Sequence, residues 1–163
     1  MAKKITTIAL LCALTVALAY IERLLPSFVL LPHFKLGLSN IVLLFALYTL
    51  PWQQSLIILF AKIGLFALLF GSFSALLYAF FGGILALAIM LLLSRSKKFS
   101  PIGVSVAGAV CHNIGQVIAA CLLLGSLYPA SLLPLLLLGG IVTGLLTGLV
   151  GSLLIAQSRH FLR

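Results

Sequence analysis

The side chains that could do chemistry inside apolar runs are Glu22, Arg23, Lys35, Asn40, Lys62, His112, Asn113 and Gln116. An ionisable group at the centre of a bilayer costs roughly 2.5–3.5 kcal/mol on insertion scales, so each asks for a partner or a ligand. Asn113 and Gln116 are three apart and His112 and Gln116 four apart, spacings that put them on one helix face as a polar stripe. Counted inward from Ile102, that stripe falls near mid-membrane, at the depth of Lys62 in the middle of its own run. Glu22, Arg23, Lys35 and Asn40 fall in the outer half, so the set reads as a funnel that opens outward and ends near the midplane. Two readings follow: a ligand pocket, or an internal network with Lys62 held by Glu22 or helix carbonyls and the amides bonding between helices. For a pocket, Arg23, Lys35 and Lys62 against one acid favour an anionic or acceptor-rich ligand such as a phosphate or a carbonyl ring.

Several chemistries lack their residues. Glu22 is the only acidic side chain, whereas prenyl diphosphate elongation needs clustered carboxylates to hold Mg²⁺. No Gly-x-x-x-x-Gly-Lys-Ser/Thr loop is present, so ATP hydrolysis must come from elsewhere. His33, His112 and His160, with Cys12, Cys111 and Cys121, have no spacing suited to haem, an iron–sulfur cluster or a metal, and no cofactor is expected. The odd number of cysteines, all within apolar segments, argues for free thiols. The formal charge of +9 is not gathered on one solvated face, so nucleic acid is not an expected partner.

The elements that must position these residues are membrane helices. Hydrophobic residues make up 64% of the chain against 7% charged, with a mean hydropathy of +1.37, which no soluble fold of 163 residues could carry on its surface. Hydrocarbon offers the backbone no partners, and uninterrupted Leu-, Ala- and Gly-rich runs without strand alternation call for helices. The expected class is an all-α integral membrane protein, one domain over 1–163. About six helices are expected near Ile5 to Leu25, Leu36 to Leu50, Trp52 to Phe70, Ser74 to Ser94, Ile102 to Leu127 and Ala130 to Ala156. Pro26 and Pro32, Pro51, Gly71-Ser72, the Arg95 to Lys98 stretch with Pro101, and Pro129 set the breaks. The second run is too short for a full crossing, and the segment from Pro26 to Lys35 is expected to dip into the outer half of the membrane as a cap. The start resembles a secretory signal, but an uncleaved first helix is long enough to span.

Lys3, Lys4, Arg95, Lys97, Lys98, Arg159 and Arg163 gather on one side if the amino end is inside, leaving Arg23 and Lys35 outside. The positive-inside rule then places both termini in the cytoplasm of a cell-membrane protein. Small residues four apart form three ridges: Ala9, Ala13 and Ala17; Gly103, Ala107, Cys111, Gly115 and Ala119; Gly140, Gly144 and Gly148. The latter two are expected to pack inside the bundle, and the first to face either the bundle or a separate membrane partner.

Three strings carry a resemblance: Ala-Leu-Ala-Tyr-Ile-Glu at 17 to 22, Lys-Leu-Gly-Leu-Ser-Asn at 35 to 40, and Gly-Val-Ser-Val-Ala-Gly-Ala-Val-Cys-His-Asn-Ile-Gly-Gln at 103 to 116. Together they resemble the Gx transporter family, also labelled heptaprenyl diphosphate synthase component I, over nearly the whole chain. More distantly, the six-helix plan and the Ala-x-x-x-Ala pattern of the first helix resemble the substrate-binding S components of energy-coupling factor transporters. That resemblance implies Ala9 and Ala13, with Ala17 on the same ridge, as residues docking on a membrane coupling subunit with cytoplasmic ATPases. It implies the segment from Pro26 to Lys35 as a lid, and Asn40, His112, Asn113 and Gln116 as ligand contacts. The functional expectation is a binding subunit that takes up a small ligand. The alternatives are a membrane accessory of heptaprenyl diphosphate synthesis and a scaffold in a redox or quinone-related complex.

Overall fold

A computed structural model describes residues 2–24, 37–70, 73–96 and 98–161, with the backbone alone for residues 2–4, Arg23, Phe66, Phe70 and residues 159–161. The expected cap from Pro26 to Lys35, including Lys35 itself, and the side chain of Arg23 lie outside the described residues. The described chain is helical: α1 (Ala2–Leu24), α2 (Leu38–Thr49), α3 (Trp52–Phe70), α4 (Phe73–Arg95), α5 (Pro101–Leu124), a 3-10 turn (Tyr128–Leu132) and α6 (Leu133–Phe161). All helices but α2 are long and apolar enough to cross a membrane.

Local chemistry sets the ends. Gly37 takes a left-handed conformation (φ 73°, ψ 28°) that a side chain would resist, and α2 starts immediately after it. At the other end Leu50 is extended (φ −122°, ψ 160°), as the residue before a proline prefers, and Pro51 closes the helix. α5 opens on Ser100, whose hydroxyl accepts from the Gly103 N–H at 3.2 Å, with Pro101 in the first turn where its missing N–H costs nothing. α5 stops at Leu124 rather than the expected Leu127, because left-handed Gly125 turns the chain and returns its N–H to the Cys121 carbonyl. The span expected from Ala130 likewise begins as the 3-10 turn, with Pro129 near its start, and becomes α-helical at Leu133.

α2 lies at the centre. Ser39, Ile41, Val42, Leu43, Leu44, Ala46 and Leu47 are buried, and a helix apolar around its whole circumference is stable only when surrounded. Leu43, Leu44 and Leu47 join Leu59, Ile63, Leu87, Met90, Val104 and Ile155 in one core, while Val42 and Ala46 pack with Leu11 and Ile58 in a second. Twelve residues rise about 18 Å, short of the roughly 30 Å of hydrocarbon. Large apolar side chains elsewhere, such as Leu10, Leu68, Leu92, Leu122 and Leu153, face outward.

Glycine lets α4, α5 and α6 approach backbone to backbone. A Cβ on Gly144 would lie 2.6 Å from Val106 Cα, and one on Gly148 2.9 Å from Ile102 Cα, so the sixth-helix ridge packs on α5 as expected. The fifth-helix ridge is only partly right. Gly115 meets the Phe81 carbonyl of α4, but Gly103 has only its own cap near it, and the glycine that shares the α4-facing side is Gly108, against Met90. Along these contacts α5 runs antiparallel to both α4 and α6, whereas Gly37 and Gly151 place α2 parallel to α6 against Thr147 and Leu44.

Candidate ligand-binding site

The polar residues of the first three helices form a chain of contacts. α2 has no side-chain cap and no acid in its first turn, so its exposed N–H groups and positive dipole end call for a negative partner. Glu22, at the end of α1, supplies it: a carboxylate oxygen accepts from the Gly37 N–H. The Gly37 carbonyl in turn accepts from the Asn40 N–H at 2.8 Å. Asn40 Oδ1 accepts from Lys62 Nζ of α3 at 3.1 Å, which fixes the amide orientation because an ammonium can only donate. Both Asn40 and Lys62 are half-buried.

The polar stripe expected on α5 divides. His112 and Asn113 are consecutive and point about 100° apart, at 3.6 residues per turn. His112 lies against α4 at Gly82, whose missing side chain makes room for the imidazole. Asn113 instead donates from Nδ2 to the Leu136 carbonyl of α6 at 2.6 Å, passing Gly140, where a Cβ would come within 2.9 Å of that nitrogen. Gln116 is half-buried one turn beyond His112.

Asn40 and His112 come together at one cavity of about 10 Å³ enclosed by α2 to α6. Leu43, Leu59, Ala86 and Met90 supply its apolar wall, and Ser105 and Thr147 the rest of its polar surface. Ser105 Oγ and Thr147 Oγ1 are 3.0 Å apart and buried. Neither hydroxyl was among the sequence candidates, though Ser105 precedes His112 by seven residues and so shares its face. Lys62, Asn113, Gln116 and Glu22 do not line the cavity. Lys62 reaches it through Asn40, and Glu22 through the start of α2. Among the described residues no three His, Cys, Asp or Glu side chains gather as a metal site.

The ridge of Ala9, Ala13 and Ala17 is exposed, as are Leu10, Leu14 and Ile21 of the same helix. It lies on an outward side of α1, unlike the glycines of α6, which meet α5.

The family model for heptaprenyl diphosphate synthase component I matches residues 11–154, from within α1 to near the end of α6. The chain belongs to that family. No curated protein and no solved structure matches it. As a member of the heptaprenyl diphosphate synthase component I family, this multi-span chain has every described polar residue of the cavity, together with Glu22 and Lys62, inside the matched region.

Proposed function

We propose that this member of the heptaprenyl diphosphate synthase component I family is the substrate-binding membrane subunit of an uptake system, similar in plan to the S components of energy-coupling factor transporters. It takes a small, acceptor-rich or anionic ligand from the outer side of the cell membrane. The observation that carries the reading is the small cavity that brings Asn40, His112, Ser105 and Thr147 together within the bundle, with a lysine held to it through Asn40. A structural scaffold has no need to keep a lysine beside a polar cavity within a lipid-facing bundle. At about 10 Å³ the cavity is closed to a metabolite, so ligand entry requires helices to separate.

In this reading the helices alternate in direction across the membrane, and both termini lie in the cytoplasm beside the basic connections. The exposed Ala9, Ala13 and Ala17 face is the docking surface for a membrane coupling subunit, which brings the ATPases this chain lacks. Purification of the tagged chain from its native membranes tests this. The coupling subunit and ATPases are expected with the wild type and absent with Ala9→Trp and Ala13→Trp together. Retention by that variant contradicts the docking face.

The family description favours a second reading, a membrane accessory of heptaprenyl diphosphate synthesis that holds or delivers lipid substrate. Glu22 is the one acid, and it is committed to α2, which leaves no carboxylate pair for Mg²⁺. A soluble, carboxylate-rich synthase chain in place of ATPases in the same purification would favour that reading.

A further inference from the structure

We propose that the central cavity is the site of one ordered water, which accepts a hydrogen bond from Asn40 Nδ2 and donates to Ser105 Oγ. Size is the first argument: about 10 Å³ is the least room that holds a single water, and it admits nothing larger. Polarity is the second, and it follows from proton bookkeeping on the lining groups. Thr147 Oγ1 donates its one proton to the Thr143 carbonyl at 2.8 Å, so the 3.0 Å contact with Ser105 has Ser105 as donor. The Ser105 hydroxyl proton is thereby used, and its remaining lone pair is an acceptor at the cavity wall. Asn40 is opposite in character. Its Oδ1 is engaged by Lys62, so what this lining side chain has left to give is the donor NH₂ of its amide.

The cavity thus brings together a donor-bearing side chain on α2 and an acceptor-bearing one on α5, with a second oxygen, Thr147 Oγ1, on α6. Water satisfies both polarities at once, and buried waters typically bridge two to four such groups. A halide ion cannot donate to Ser105, and a metal cation cannot accept from Asn40. The water ties α2 to the α5–α6 pair. A ligand group that displaces it matches the same pair if it both accepts and donates, as a hydroxyl does. That extension rests on the binding-subunit reading, and the water itself does not.

The chain's two asparagines make the test clean. Protein labelled with ¹⁵N at asparagine, reconstituted in liposomes without added ligand, gives two side-chain amide signals in solid-state NMR. Polarisation transfer from water is expected at Asn40 and weak at Asn113, which is bonded to the Leu136 carbonyl. Ser105→Val, which fills the cavity and removes the acceptor, is expected to abolish the Asn40 transfer while leaving the Asn113 signal at its wild-type position as a check on folding. Ser105→Ala, which keeps the space and removes only the hydroxyl, covers the case in which valine disrupts the bundle. Transfer at Asn40 no stronger than at Asn113 in the wild type, or undiminished in a folded Ser105 variant, overturns the proposal.

Discussion

Asn40 is the side chain on which two parts of the molecule meet, since it accepts a hydrogen bond from Lys62 of α3 and lines the cavity shared with α5 and α6. Losing the acceptor and losing the donor are not equivalent. Asn40→Leu leaves an ammonium at membrane depth with one acceptor fewer, a change expected to cost about 1–3 kcal/mol. Lys62→Met removes the charge itself and is expected to be close to neutral, and the double variant is expected to recover much of the single Asn40 loss. Thermal unfolding of the four proteins in one detergent measures this coupling. The residue scale was the least legible in sequence. Lys62 and Asn40 stood out because charge and amides are rare here, but Ser105 and Thr147 did not, because small hydroxyls are common in membrane spans and many, like that of Thr147, bond their own helix. The pairing of Glu22 with Gly37 joins residues fifteen apart through a backbone N–H, which no spacing rule reveals.

At the scale of elements, close helix approach depends on which glycines meet backbone. Gly144→Val places side-chain atoms against Val106 Cα, where a Cβ alone would be 2.6 Å away, and backbone cannot yield as a flexible side chain can. A loss of at least about 1–3 kcal/mol is expected, read as a lowered melting temperature. Gly64 in α3 has nothing within 4 Å of such a Cβ, so Gly64→Ala is expected to be neutral or to gain up to about 1 kcal/mol from helix propensity. The helices themselves were largely readable, since proline and apolar run length act locally: α3 spans Trp52–Phe70, as the sequence indicates. Where expectation and structure part, a nonlocal or conformational cause is visible. Gly125 ends α5 early by turning left-handed, and the partner of each helix face, as in the exchange of Gly103 for Gly108, depends on helix rotation that spacing alone does not fix.

For the whole molecule, a short, fully wrapped α2 is surrounded by longer helices whose outer faces carry leucine and phenylalanine to the lipid. Composition alone called for that solvent, and the basic connections called for an orientation. In the proposed topology, which has both termini in the cytoplasm, Tyr128→Cys at the turn before α6 is expected to react with a membrane-impermeant maleimide in intact cells. Lys98→Cys, between α4 and α5, is expected to react only after permeabilisation. The reverse pattern would invert the proposed topology and turn the uptake reading around.

The central claim is that the polar groups gathered around Asn40 bind a small molecule. Mass spectrometry of compounds released from the purified protein tests it most directly, with wild type, Asn40→Leu and Lys62→Met prepared identically. A small acceptor-rich compound is expected from the wild type and is expected to be lost from both variants. Its retention at wild-type level by folded Asn40→Leu and Lys62→Met proteins would contradict the account.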